Sequence, residues 1–308
     1  MLGRIAGAVR FKEPLSFHTS LRIGGPAEFF IVPQDLDDVR HALAFANQEE
    51  LPLIVIGGGN NMLVSDRGVM AVVLRLQGVL SRAEFHGEEV VVGGGVALGA
   101  LIREAAARDL GGLETMAGIP ATVGGALATS AGTREGCIYD LCDAVYFLYP
   151  DGTLGELRPA GQGGLEAFNL PPKVVFVGCR IRLRRRPQAE IQKELNQRLK
   201  QRKMSQPFAL ASAGYVWRNP ATENVEVLLA RAGLRGRRIN SAEISPKNGN
   251  FIVNRGGARA ADILGLMDLS RERVERQTGI VLETGLRMLG FASGFRFENE
   301  SLELAAAR

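Results

Sequence analysis

The feature that most constrains this chain is an apolar strand that runs straight into glycine: Ile54-Val55-Ile56-Gly57-Gly58-Gly59-Asn60-Asn61-Met62-Leu63-Val64. Glycines adopt positive φ and present consecutive backbone N–H groups with no side chain in the way, so the turn suits an approaching diphosphate. No Gly-Lys-Ser/Thr follows, which excludes a Walker loop, and no Gly-x-Gly-x-x-Gly opens a helix, which excludes a Rossmann nucleotide site. A tight turn alone would also account for three glycines. The second such stretch is Gly111-Gly112-Leu113-Glu114-Thr115-Met116-Ala117-Gly118-Ile119-Pro120-Ala121-Thr122-Val123-Gly124-Gly125-Ala126. Its small residues, with one proline-fixed turn, let backbone lie flat against a planar or charged ligand or against a neighbouring domain.

Around these loops the pattern is mixed α and β. Residues 35–50 form an amphipathic helix and 53–56 a short buried strand; strands are expected at 89–92 and 174–183 and a helix at 98–109. Ile191, Leu195 and Leu199 recur at four-residue spacing among charged neighbours, so 187–203 reads as a connecting amphipathic helix. Beyond it, 226–232 and 260–277 read as helices, 250–254 as a buried strand and 280–289 as a strand that returns to the first domain. With 308 residues the chain is long enough to divide its core among two or three domains. The expected division is a first lobe at 1–77 joined by the strand of 279–297, a second lobe at 78–186 and a third at 187–278.

Composition narrows the function classes. The net charge of +4 comes with basic clusters at 180–186, 198–203 and 231–238, which suit a phosphate-bearing small molecule or a solvated face. Neither a recognition motif nor an aromatic-rich strand pair accompanies them, so no nucleic-acid partner is expected. Three cysteines, Cys137, Cys142 and Cys179, lack any zinc spacing, so no metal is expected and the thiols should be reduced. The first twenty residues carry Arg4, Arg10, Lys12 and Glu13 without a sustained apolar run, and no later stretch reaches spanning length. A cytoplasmic protein without membrane association is expected. His18, His41 and His86 are dispersed and receive no catalytic role.

Taken in order, several segments resemble the UDP-N-acetylenolpyruvoylglucosamine reductase family. They are His18-Thr19-Ser20-Leu21-Arg22-Ile23-Gly24-Gly25-Pro26-Ala27, the two glycine loops, Ser205-Gln206-Pro207, Ala213-Gly214-Tyr215-Val216-Trp217-Arg218-Asn219-Pro220, Ala232-Gly233-Leu234-Arg235-Gly236 and Asn248-Gly249-Asn250-Phe251-Ile252-Val253-Asn254. The resemblance implies an α+β flavoprotein: two α/β lobes around FAD, like those of vanillyl-alcohol-oxidase-type (PCMH) flavoproteins, and a C-terminal α+β lobe over the flavin. It implies that FAD meets Gly57, Gly58, Gly59, Asn60, Asn61, Met62 and Leu63 on one side and Gly118, Ile119, Pro120, Val123, Gly124 and Gly125 on the other. It further implies NADPH as hydride donor, an enolpyruvyl sugar nucleotide as substrate in peptidoglycan synthesis, and substrate contacts at Arg202, Asn219, Arg235 and Asn248.

The chain departs from the family where chemistry is done. Hydride addition to an unsaturated carboxylate builds enolate charge that donors must stabilise and an acid must quench. The family's serine is Tyr215 here, a longer group that would occupy the substrate's place. Its C-terminal Leu-Glu-x-Glu-Val-Arg reads Leu282-Glu283-Thr284-Gly285-Leu286-Arg287, leaving glycine at the glutamate. On a strand Glu283 would share the face of Gly285 roughly 6–7 Å away. Its Tyr-Arg-x-Ser is absent from Gly163-Gly164-Leu165-Glu166-Ala167-Phe168-Asn169-Leu170-Pro171-Pro172-Lys173. Three functions are compatible: a reductase with rearranged groups, a flavoprotein acting on another substrate, and a non-catalytic FAD-binding or regulatory protein.

Overall fold

A computed structural model of the chain describes residues 2–159, 170, 173–292 and 297. Most of the stretch expected to hold Tyr-Arg-x-Ser therefore lies outside the described residues.

Three sheets organise the chain. In the first, strands Pro26–Val32, Val69–Arg75 and Leu53–Ile56 run parallel, with Ala8–Pro14 antiparallel at the edge. Helix α1 (Leu36–Gln48) covers it through Val39, Ala42, Leu43 and Ala46, whose spacing makes one apolar stripe. Asp35 caps the helix by accepting from Asp38 N–H at 2.9 Å. Because Leu53–Ile56 is a parallel strand, the first glycine loop leaves from its carboxyl end, where open α/β sheets bind ligands.

The second sheet is antiparallel, in the order Leu154–Leu157, Cys142–Leu148, Val175–Arg182, Glu89–Gly93, Ala83–His86. Helices α2 (Leu98–Ala106) and α3 (Val123–Ala128) pack on it in one core, and α4 (Gln188–Ser205) adds Ile191 and Leu195. The four-residue spacing in α4 was thus a true packing face. The third sheet, Ala211–Ser212, Ile252–Asn254, Ala242–Ile244 and Arg238–Ile239, packs with α5 (Val225–Arg231) and α6 (Ala260–Thr278).

The third core is not closed on itself. Leu21, Ile23 and Leu63 enter it from the amino-terminal part, Asn254 Nδ2 donates to Leu21 O at 2.9 Å, and Asp66 accepts Ala260 and Ala261 N–H at the start of α6. These bonds tie the third core to Leu21 and Asp66 of the amino-terminal part.

Residues 280–289 differ from expectation. Only Arg287–Leu289 is a strand, pairing parallel with Met62–Val64. Before it, Thr284 pairs with Trp217 in an isolated antiparallel bridge, and its Oγ1 donates to Val216 O and accepts Leu286 N–H. Gly285 N–H also goes to Val216 O, at 2.8 Å. Through this bridge burial still alternates, with Leu282, Thr284 and Leu286 buried, so Glu283 and Gly285 share the outward face; Glu283 itself is exposed.

Candidate functional site

The two glycine loops meet. A Cβ on Gly57 would stand 2.4 Å from Thr122 Oγ1, so the approach exists only because position 57 has no side chain. Thr122 in turn caps α3, accepting Gly125 N–H at 3.2 Å. Gly59 holds φ +65°, its carbonyl accepts Ser20 N–H and Ser20 Oγ–H, each at 3.0 Å, and a Cβ there would lie 2.1 Å from His18 O. Gly118, at φ +76°, turns beneath the side chains of Leu199 and Arg202.

Between the loops lies a cleft of about 1450 Å³, above the roughly 300–1,000 Å³ of ordinary ligand pockets and large enough for a dinucleotide. Gly57, Gly58, Gly59, Asn60, Asn61 and Met62 line one side; Gly118, Ile119, Pro120, Gly124 and Gly125 line the other. Leu63 and Val123 do not line it. Both are fully buried, Leu63 in the third core and Val123 in the second, because each follows a loop into regular packing.

Four cationic residues, Arg75, Arg103, Lys173 and Arg287, line the cleft, and no Asp or Glu does so among the described residues. With backbone amides in both glycine loops, that is the donor set a diphosphate needs. Leu195 and Leu199 of α4 supply an apolar wall. The residues therefore fit FAD.

Some of this site was missed in the sequence. Gly94 and Gly95 line the cleft, and Gly124 N–H donates to Gly94 O at 2.7 Å; the run Gly93-Gly94-Gly95 after an apolar strand was the available signal. Arg75 is steered by His18, whose Nδ1 accepts the guanidinium at 3.1 Å while Nε2 donates to Glu13 at 2.8 Å. The imidazole, followed by Arg10, holds the Glu13 carboxyl below its usual range. Nothing in the sequence marked that relay.

Positions 215 and 285 come together: a Cβ on Gly285 would lie 3.8 Å from Tyr215 O, with no atom closer than Arg218 Cγ at 3.7 Å. Gly285 is thus not forced by crowding, and its φ is not positive. Tyr215 is 52% exposed, its ring centroid 4.9 Å from that of Phe251, and its hydroxyl 3.4 Å from Gln206 Nε2. Arg202 packs on Gly118, and burial pushes its guanidinium below the usual range. Asn219 Oδ1 accepts Val225 N–H at 3.0 Å, Asn248 Oδ1 accepts Asn250 N–H at 3.0 Å, and Arg235 is ion-paired with Glu226. These three lie in the third lobe and outside the cleft lining.

Residues 27–158 match the model of an FAD binding domain, and residues 206–289 match that of the UDP-N-acetylenolpyruvoylglucosamine reductase C-terminal domain. The chain is 37% identical to UDP-N-acetylenolpyruvoylglucosamine reductase 2 of Symbiobacterium thermophilum, across 93% of this chain and 94% of that one. This chain belongs to the UDP-N-acetylenolpyruvoylglucosamine reductase family. The reductase of Bacillus subtilis is 33% identical over 93% of this chain and 96% of its own length. The crystal structure of the reductase from Thermus caldophilus superposes with a TM-score of 0.79 at 35% identity, covering 92% of this chain and 99% of that one. The α+β fold, with paired FAD-binding lobes of the PCMH type and the family's C-terminal domain, is as the resemblance implied. No described helix is long and apolar enough to cross a membrane.

Proposed function

We propose that this chain is a cytoplasmic flavoprotein that holds FAD in the cleft between its two glycine loops, takes hydride from NADPH, and delivers it poorly to the enolpyruvyl sugar nucleotide on which its relatives are named as acting. The observation that carries this reading is the glycine-lined cleft bearing four cationic residues and no acidic one among the described residues. FAD, when bound, supplies a two-electron acceptor and donor.

The chain's own residues do the rest. Gly57, Gly58 and Gly59 present backbone to the diphosphate, Arg75 and Arg103 offset its charge, and Leu195 and Leu199 keep water from the opposite wall. Near the acid position Tyr215 offers an O–H group, and Gly285 offers no carboxylate to orient or recharge it. A positioned acid contributes about 10²–10⁴-fold to such a step. The transfer onto carbon is therefore the weakened step, and the half-exposed aromatic ring of Tyr215 favours a different acceptor as the second reading.

The test is anaerobic mixing of the FAD-loaded protein with NADPH, then with UDP-N-acetylglucosamine enolpyruvate, following flavin absorbance. Bleaching by NADPH and recovery at least 100-fold slower than in the Thermus caldophilus relative is expected. Recovery at the relative's rate would show that replacement groups do the acid's work; no bleaching would leave a non-catalytic FAD-binding role.

A further inference from the structure

The residues expected to meet a sugar nucleotide are engaged inside the protein. Arg235 donates through Nε to Glu226 Oε1 at 2.8 Å, and its second terminal nitrogen donates to the same oxygen. The other carboxylate oxygen, Oε2, accepts Asn250 N–H at 3.1 Å. Glu226 is thus held between a guanidinium and a backbone amide, with its side chain 22% exposed. A guanidinium and an N–H aimed at two oxygens of one anion is the donor arrangement that receives a phosphate.

The neighbouring donors are committed as well. Asn219 and Asn248 close local turns, and Lys247 Nζ donates to the carbonyl of Lys203 at the end of α4. Arg202 is the exception, since no carboxylate lies within ion-pair distance among the described residues, but it packs on Gly118 at the cofactor cleft. A phosphate arriving at Arg235 meets a negative charge already in place, and two anions within a few ångströms repel unless one is protonated or displaced.

We propose that Glu226 is a built-in occupant of the Arg235 anion subsite and a specificity-determining residue, so that the chain selects for an electron acceptor carrying no diphosphate at this position. The inference rests on the proposed family site only in taking Arg235, Asn219 and Asn248 to mark the sugar-nucleotide end. It goes beyond the loss of the acid, because it changes which ligand arrives rather than what happens to it.

The experiment is calorimetric titration of UDP into the full-length protein, compared with Glu226→Gln and Glu226→Ala. Glutamine keeps an oxygen for Asn250 N–H while removing the charge, and the melting temperature of each variant verifies folding. Binding of UDP at least ten-fold tighter in both variants, with the gain lost when Arg235→Ala is added, is the expected result. Equal UDP affinity in the unaltered protein and both variants, or a gain that survives Arg235→Ala, would overturn the proposal. Neither Glu226 nor Arg235 lines the FAD cleft. Flavin absorbance of the same samples therefore reports separately on the proposed function.

Discussion

Gly59→Ala tests the cofactor cradle at its most constrained point. The residue sits at φ +65°, where an L side chain costs about 1–2 kcal/mol. The new Cβ would also stand 2.1 Å from His18 O and 2.7 Å from Thr19 Cα, both backbone, so no rotamer change relieves the overlap. Together these give roughly 2–4 kcal/mol. If the protein keeps the native loop, the cost appears as a lower melting temperature; if the loop shifts, it appears as weaker FAD binding, by about 30-fold for 2 kcal/mol. Gly58→Ala is the matched control, because its Cβ would meet the side-chain amide of Asn60, which can rotate. It should change the melting temperature little while still reducing FAD affinity, since position 58 lines the cleft. The assays are thermal unfolding and FAD fluorescence titration of both variants. A Gly59→Ala protein with unchanged melting temperature and unchanged FAD affinity would refute the reasoning.

Tyr215→Ser with Gly285→Glu should raise kcat for UDP-N-acetylglucosamine enolpyruvate by about 10²-fold or more, since the space at 285 accepts a side chain; steady-state kinetics should show a high KM that falls when Glu226→Gln is added. Tyr139→Phe removes the buried hydroxyl that donates to Leu127 O at 2.8 Å and should cost about 1 kcal/mol in thermal unfolding. Arg186, with Arg198, holds the Glu194 carboxyl below its usual range. Its contribution is therefore present above the unfolded-state value and is lost as pH falls through the lower folded value. Melting temperature followed from pH 6 downward should decline less steeply in Glu194→Gln than in the unaltered protein.

The fold was legible wherever a local period met a tertiary surface. The 3.6-residue stripe of α1, the short strand Leu53–Ile56 and the spacing of Ile191 and Leu195 each found the core they implied, while Leu199 on the same face lines the cleft. Of the strand expected over 280–289 only Arg287–Leu289 is continuous, with Thr284 bridged singly to Trp217, because the pairing partner changes between these two points from Trp217 to Met62–Val64. In the site, glycine runs were visible because lack of a side chain is itself a sequence signal. The Glu13–His18–Arg75 relay and the Glu226–Arg235 pair were not, since each joins residues whose meeting depends on packing. The basic clusters read as possible phosphate contacts are largely tied up, for example Arg186 with Glu114 and Arg238 with Glu243.

The measurement that tests the central claim most directly is titration of FAD into flavin-free protein, followed by quenching of flavin fluorescence and by the visible spectrum. Saturable binding of one FAD per chain, with affinity reduced in Gly58→Ala, is the result the cleft between the glycine loops predicts. Absence of FAD binding by a folded, unaltered chain would contradict it.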